Sequence, residues 1–194
     1  MAIEYTNRRG RKHYLHEGKT KTGKPKYFFS MKSGGNPINT IPIGYEIYES
    51  SNAQVFLRKP PLQIVTPNEI EIVREGVKKH AEVEYFLVDV KDKHIIVYLC
   101  DQNVKELMEL ASFAHGKNTD QARSVVAQNL SYTPMIQFVL NNAETREFTV
   151  QRWCFQGSVD DWISLDHSPN LSELVKTYGS HLGKESFYDL TPYG

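Results

Sequence analysis

The residues best suited to chemistry are the lysines and arginines that crowd the first part of the chain, interleaved with aromatic residues. The cations are Arg8, Arg9, Arg11, Lys12, Lys19, Lys21, Lys24, Lys26 and Lys32, and the aromatic residues are Tyr14, Tyr27, Phe28 and Phe29. Lysine and arginine neutralise phosphates and release counterions, and exposed aromatic rings stack on bases. The pattern predicts a nucleic-acid-binding surface, for DNA or RNA, made of Arg8, Arg9, Arg11, Lys12, Tyr14, Lys19, Lys21, Lys24, Lys26 and Tyr27.

The aromatic triplet in this segment restricts that surface. Side chains alternate along a strand, so Tyr27 and Phe29 share one face and Phe28 takes the other. One face must form core, and only the remaining aromatic residues are then free to stack on bases. The same basic segment also fits a solvated charged hairpin, a region docked onto the acidic part of the chain, or a protein-binding surface.

The segment Gly18-Lys19-Thr20-Lys21-Thr22-Gly23-Lys24 follows the phosphate-binding loop pattern up to its last position. Pro25 stands where Ser or Thr would bind magnesium, and a β-prone run follows instead of a helix. The segment therefore predicts a lysine-rich hairpin turn.

A metal-dependent hydrolase is the second hypothesis. Asp89-Val90-Lys91 resembles the Asp/Glu-x-Lys element of the restriction-endonuclease-like nucleases, in which a further upstream carboxylate completes the magnesium site. Glu69, Glu71 and Glu75 are the candidates for that carboxylate. A surface hairpin end explains the three residues better than a nuclease site does, so we assign no catalytic residue, metal ligand or cofactor and favour a binding protein over an enzyme.

An interaction module is the third hypothesis, and it follows from the distribution of charge. Residues 1–59 hold eleven Lys/Arg against four Asp/Glu, a net charge of +7, whereas residues 60–194 hold twelve against nineteen, a net charge of −7. Two regions of opposite charge suit pairing within the chain, self-association or a protein partner.

Two regions of secondary structure must position these residues. Residues 1–59 read as short β-strands joined by turns and predict a basic, aromatic, antiparallel β-region; Pro60-Pro61 marks the boundary. Residues 60–194 predict an acidic α+β domain in which helices flank two antiparallel hairpins, near residues 85–99 and 135–155. Thr66-Pro67-Asn68-Glu69 indicates the start of the first helix. The predicted fold class is α+β.

The expected compartment is the cytoplasm. Two cysteines, Cys100 and Cys154, are too few for a disulfide framework, which favours a reducing environment. The chain has no apolar run long enough for a signal peptide or a membrane span, so no membrane partner is expected.

Overall fold

The computed structural model describes residues 2–62, 64–115, 119–156 and 159–192. Within these ranges the α+β class with a small N-terminal β-region is confirmed. The elements in chain order are β1 (Glu4–Thr6), β2 (Lys12–Lys19), β3 (Pro25–Ser30), β4 (Glu46–Glu49), β5 (Val55–Arg58), α1 (Pro67–His80), β6 (Phe86–Lys91), β7 (His94–Cys100), α2 (Val104–His115), α3 (Thr119–Asn129), β8 (Tyr132–Asn142), β9 (Glu147–Gln156), β10 (Val159–Ser168), α4 (Leu171–Gly179) and a short 3-10 helix (Glu185–Phe187).

The basic β-region forms two small antiparallel sheets, one of strands β1-β2-β3 and one of β4-β5. Asn7 shapes the turn between β1 and β2, because its side-chain oxygen accepts hydrogen bonds from the backbone N–H groups of Arg9 (3.1 Å) and Arg11 (2.9 Å). Leu15 of β2 is fully buried and pairs with Phe29 of β3. The face of the three-stranded sheet that carries Leu15 is therefore the inner face.

The acidic part contains a five-stranded antiparallel sheet in the order β10-β9-β8-β7-β6. Both predicted hairpins are present, and they are adjacent strands of this one sheet. Alternate residues of β7, β8 and β9 form the core with α1 and α4, for example Val97, Ile136, Phe138 and Val150.

Helix α1 begins as its sequence predicts. Thr66 is the N-cap, Pro67 is the first helical residue, and Thr66 and Glu69 form a capping box. Farther along, Gly76 allows a close approach to α4, because a methyl group at that position would overlap the Val175 side chain.

The chain divides into two compact units. One joins Met1–Pro60 with Asp101–Ser131, and the other joins Pro61–Cys100 with Tyr132–Gly194. The first unit therefore includes α2 and α3, which lie in the 60–194 region of the sequence-based division. Separate domains with a boundary at residues 59 and 60 stay a prediction.

No helix in the described part of the chain is long and apolar enough to cross a membrane.

Candidate nucleic-acid interface

Four predicted site residues lie together at the end of the hairpin formed by β2 and β3. We call Lys19, Lys21, Lys24 and Lys26 the lysine cluster, and the segment from Gly18 to Lys26 the ribbon. All four side chains are exposed, and none forms an ion pair with any described residue. The cluster is thus a group of cations that the described structure leaves uncompensated.

The turn of the ribbon is held by hydrogen bonds that its own sequence supplies. The Thr20 N–H donates to the Lys24 carbonyl (2.8 Å), and the Gly23 N–H donates to the Thr20 carbonyl (2.9 Å). The Lys24 N–H also donates to the Thr20 hydroxyl (3.1 Å). Gly23 has a φ of 81°, a left-handed conformation that glycine adopts without strain. The predicted lysine-rich hairpin turn is confirmed.

The lysine cluster extends over both faces of the ribbon. Lys19 lies four residues after Leu15 on β2 and therefore shares its inner face, opposite Pro25 of β3. Lys26 pairs with Gly18 and lies on the outer face. Lys21 and Lys24 belong to the connecting turn. Positive charge is therefore available on two sides and at the end of the hairpin.

The exposure of the aromatic residues differs from that in the predicted surface. Tyr27 is half-buried and packs edge-on against Tyr45, with ring centroids 6.0 Å apart. Phe28, which the predicted surface omits, lies on the outer face and is 42% exposed. Its ring stacks on buried His16 with centroids 5.5 Å apart and an interplanar angle of 18°. Phe28 is thus the exposed aromatic residue of the hairpin.

The pairing register of β2 and β3 identifies Phe28 as the exposed aromatic residue. Leu15, the aliphatic residue among the polar and aromatic residues of β2, marks the inner face of that strand. Which residues of β3 lie on the same face follows only from the register, in which Leu15 pairs with Phe29. Alternation alone separates Phe28 from Tyr27 and Phe29 but does not show which side is exposed.

The cations of the first turn mostly contact groups within their own unit. The Arg8 guanidinium lies 3.7 Å from the Glu49 carboxylate and donates to the Ser50 carbonyl (3.0 Å). The Arg9 guanidinium donates to the Leu130 carbonyl (3.0 Å). These two arginines thereby connect the β1–β2 turn to other segments.

Lys12 and Arg11 differ in whether a carboxylate pairs with their charge. The Lys12 ammonium lies 2.7 Å from the Glu4 carboxylate, and this hydrogen bond raises the pKa of Lys12. Arg11 is exposed and forms no ion pair with a described residue. Tyr14 is half-buried on the outer face, opposite Ser30. The structure therefore groups the lysine cluster together, whereas Arg8, Arg9, Lys12 and Tyr27 contact other residues of their own unit.

Each of the three glutamates considered in the hydrolase hypothesis has a basic partner in the structure. Glu69 accepts hydrogen bonds from the Thr66 N–H (2.7 Å) and from Nε of Arg146 (2.8 Å). Glu71 pairs with Arg74 and Glu75 with Lys78, in both cases along α1. Among the described residues, no group of three or more His, Cys, Asp or Glu side chains is placed to hold a metal ion.

The hydrogen bonds that Glu69 accepts from Thr66 and Arg146 indicate a structural role for its carboxylate. Burial by itself raises its pKa, but the hydrogen bonds from Arg146 and Thr66 outweigh burial and hold the pKa below its ordinary value of 4.5. Because the folded pKa is the lower one, the carboxylate stabilises the fold above the unfolded pKa. That contribution is lost as the pH falls through the folded pKa.

We expect Glu69→Gln to lower the free energy of unfolding by about 2 kcal/mol at neutral pH, because charge-assisted hydrogen bonds are lost. The difference from the parent should begin to shrink as the pH falls below 4.5, where the unfolded carboxylate becomes protonated, and should be lost once the pH has passed the lower folded pKa. Urea unfolding at several pH values measures both effects. Glu71→Gln is the control, since an exposed helical pair contributes only about 0.5 kcal/mol. A pH-independent difference would contradict this role of Glu69.

Two tryptophans pack together near the end of the hairpin formed by β9 and β10. Trp153 and Trp162 are cross-strand partners with ring centroids 5.0 Å apart, and Phe155 lies 5.6 Å from Trp153. Both contacts are edge-to-face, the geometry in which aromatic side chains stabilise neighbouring strands. We interpret this cluster as structural.

Comparison of the chain with protein-family models, curated proteins and solved structures finds no match.

Proposed function

We propose that this protein binds nucleic acid without acting as an enzyme and that the lysine cluster makes the principal contacts to phosphate. The observation that carries the proposal is the exposure of four neighbouring lysines that have no ion pair among the described residues. In the free protein such cations repel one another, and a polyanion relieves the repulsion.

A phosphate backbone matches the cluster better than a single carboxylate does. The four lysines are spread along one short hairpin, so a ligand must present repeated negative charge to engage them together. Double-stranded DNA carries one negative charge per about 1.7 Å of helix axis, and binding releases its condensed counterions. The entropy of that release favours association.

The other predicted site residues take supporting roles in the proposal. Arg8 and Arg9 connect the β1–β2 turn to other segments, Lys12 pairs with Glu4, and Arg11 supplies an additional exposed cation. The free cysteines Cys100 and Cys154 support a reducing compartment, and we assign the cytoplasm.

We expect the affinity for a DNA duplex to fall steeply with salt. Four lysine–phosphate contacts predict a slope of about −3 to −4 for the logarithm of the association constant against the logarithm of the salt concentration. Fluorescence anisotropy with a labelled duplex over a salt series measures the slope. An affinity that does not change with salt would contradict the proposal.

A further inference from the structure

The ribbon is a two-stranded structure that extends past the rest of its sheet. Strand β1 pairs with β2 only as far as Tyr14. The loop after β3 continues alongside β2 as far as Glu17, whose N–H donates to the Asn36 carbonyl (3.1 Å). From Gly18 onward, the described backbone hydrogen bonds of β2 go only to β3. The lysine cluster therefore lies on a projecting β-ribbon.

The dimensions of such a ribbon match one groove of nucleic acids. Paired strands are about 4.8 Å apart, and side chains project from both faces. The major groove of B-form DNA is about 12 Å wide and about 8.5 Å deep and admits a two-stranded ribbon, whereas the minor groove is about 6 Å wide. The major groove of A-form RNA is too narrow for side chains to enter. Size alone thus favours B-form DNA.

The distribution of charge on the ribbon also fits a groove. Lys19 is on the inner face and Lys26 on the outer face, so their ammonium groups project away from opposite sides of the hairpin. A groove has a phosphate backbone on each side. A ribbon inserted between the two backbones brings each face toward one of them.

The hairpin is poorly suited to a single strand, which is bound by successive aromatic residues that stack on bases. Of the hairpin's aromatic residues, Tyr27 packs against Tyr45, and Phe28 already has His16 on one side of its ring. In the turn, the Thr20 and Thr22 hydroxyls lie 3.0 Å apart and hydrogen-bond to each other, which engages one of their two O–H groups. The charged groups of the ribbon are lysines, which bind phosphate as point charges.

We infer that the ribbon enters the major groove of B-form DNA and contacts both phosphate backbones with little dependence on sequence. Lys19 faces one backbone and Lys26 the other. This inference rests on the proposed function, because it specifies the nucleic acid and the groove that the lysine cluster occupies.

The test uses the full chain and four probes of one sequence and length: duplex DNA, duplex RNA, single-stranded DNA, and duplex DNA with glucosylated 5-hydroxymethylcytosine. The glucose groups fill the major groove and leave the phosphates in place. We expect the unmodified DNA duplex to bind about tenfold more tightly than each of the other three probes, because only it combines dense charge with an open major groove. A ligand that occupies the minor groove should not compete.

The outcomes separate the inference from the proposed function. Equal binding of the glucosylated and plain duplexes, or competition by the minor-groove ligand, would overturn insertion in the major groove. Equal or tighter binding of single-stranded DNA or duplex RNA, lost when the lysine cluster is neutralised, would overturn the inference and leave the proposed function standing. If the protein binds none of the four probes at low salt, both the inference and the proposed function are overturned.

Discussion

We expect the variant K19Q/K21Q/K24Q/K26Q to bind duplex DNA about a hundredfold more weakly than the parent at moderate salt, because four phosphate contacts are lost together. The magnitude of the salt slope should fall by about 3 to 4, since each lysine contributes about one unit. Anisotropy titrations over a salt series measure both quantities. Glutamine removes the charge and keeps a polar, flexible side chain, so the turn hydrogen bonds, which involve other groups, should persist.

A matched variant separates local contacts from net charge. Lys79, Lys91, Lys93 and Lys176 are exposed, belong to the other compact unit and form no ion pair with a described residue. Their replacement by glutamine changes the net charge by the same amount as neutralising the lysine cluster. We expect this variant to keep nearly the parent affinity and slope. Equal weakening of both variants would show that binding follows overall charge and would refute the role of the lysine cluster.

The second prediction with a large expected effect concerns Leu15, whose buried side chain supports the hairpin formed by β2 and β3. Leu15 is fully buried on the inner face of β2, and its partner Phe29 lies directly across the strand pair. We expect Leu15→Ala to lower the free energy of unfolding by about 2 to 5 kcal/mol, because the apolar contact is lost and a cavity remains. Urea denaturation followed by fluorescence and circular dichroism measures the loss.

Conservative replacement at the same position is the control. Leu15→Met conserves volume and should cost less than about 1.5 kcal/mol. DNA binding by the alanine variant should decrease with its folded fraction, since the lysines keep their positions only while β2 and β3 are paired. Parent-like stability of Leu15→Ala would contradict the assignment of the inner face.

The features that the sequence predicts well depend on neighbours in the chain. The capping box of α1 needs only Thr66 and Glu69, three residues apart, and the turn at residues 20–24 needs only its own hydroxyl and glycine. The two hairpins follow from β-prone runs joined by short polar segments. Local hydrogen bonds and side-chain periodicity encode such elements wherever they lie in the fold.

The arrangement of the candidate site depended instead on contacts between distant residues. Arg9 contacts the carbonyl of Leu130, which is 121 positions away, and Arg8 contacts Glu49. In sequence these arginines are indistinguishable from Arg11, which forms no ion pair with a described residue. Composition records that a cation is present but not whether another part of the chain already binds it.

The sequence by itself determined the α+β class, the start of α1, the positions of the two hairpins and the concentration of positive charge in the first 59 residues, because periodicity, turn chemistry and charge are local properties of the chain. Only the tertiary structure decided which cations remain exposed, that Phe28 rather than Tyr27 faces outward, and that two hairpins belong to one five-stranded sheet. These outcomes depend on strand register and on pairing between distant segments, where a shift of one residue exchanges the two faces of a strand.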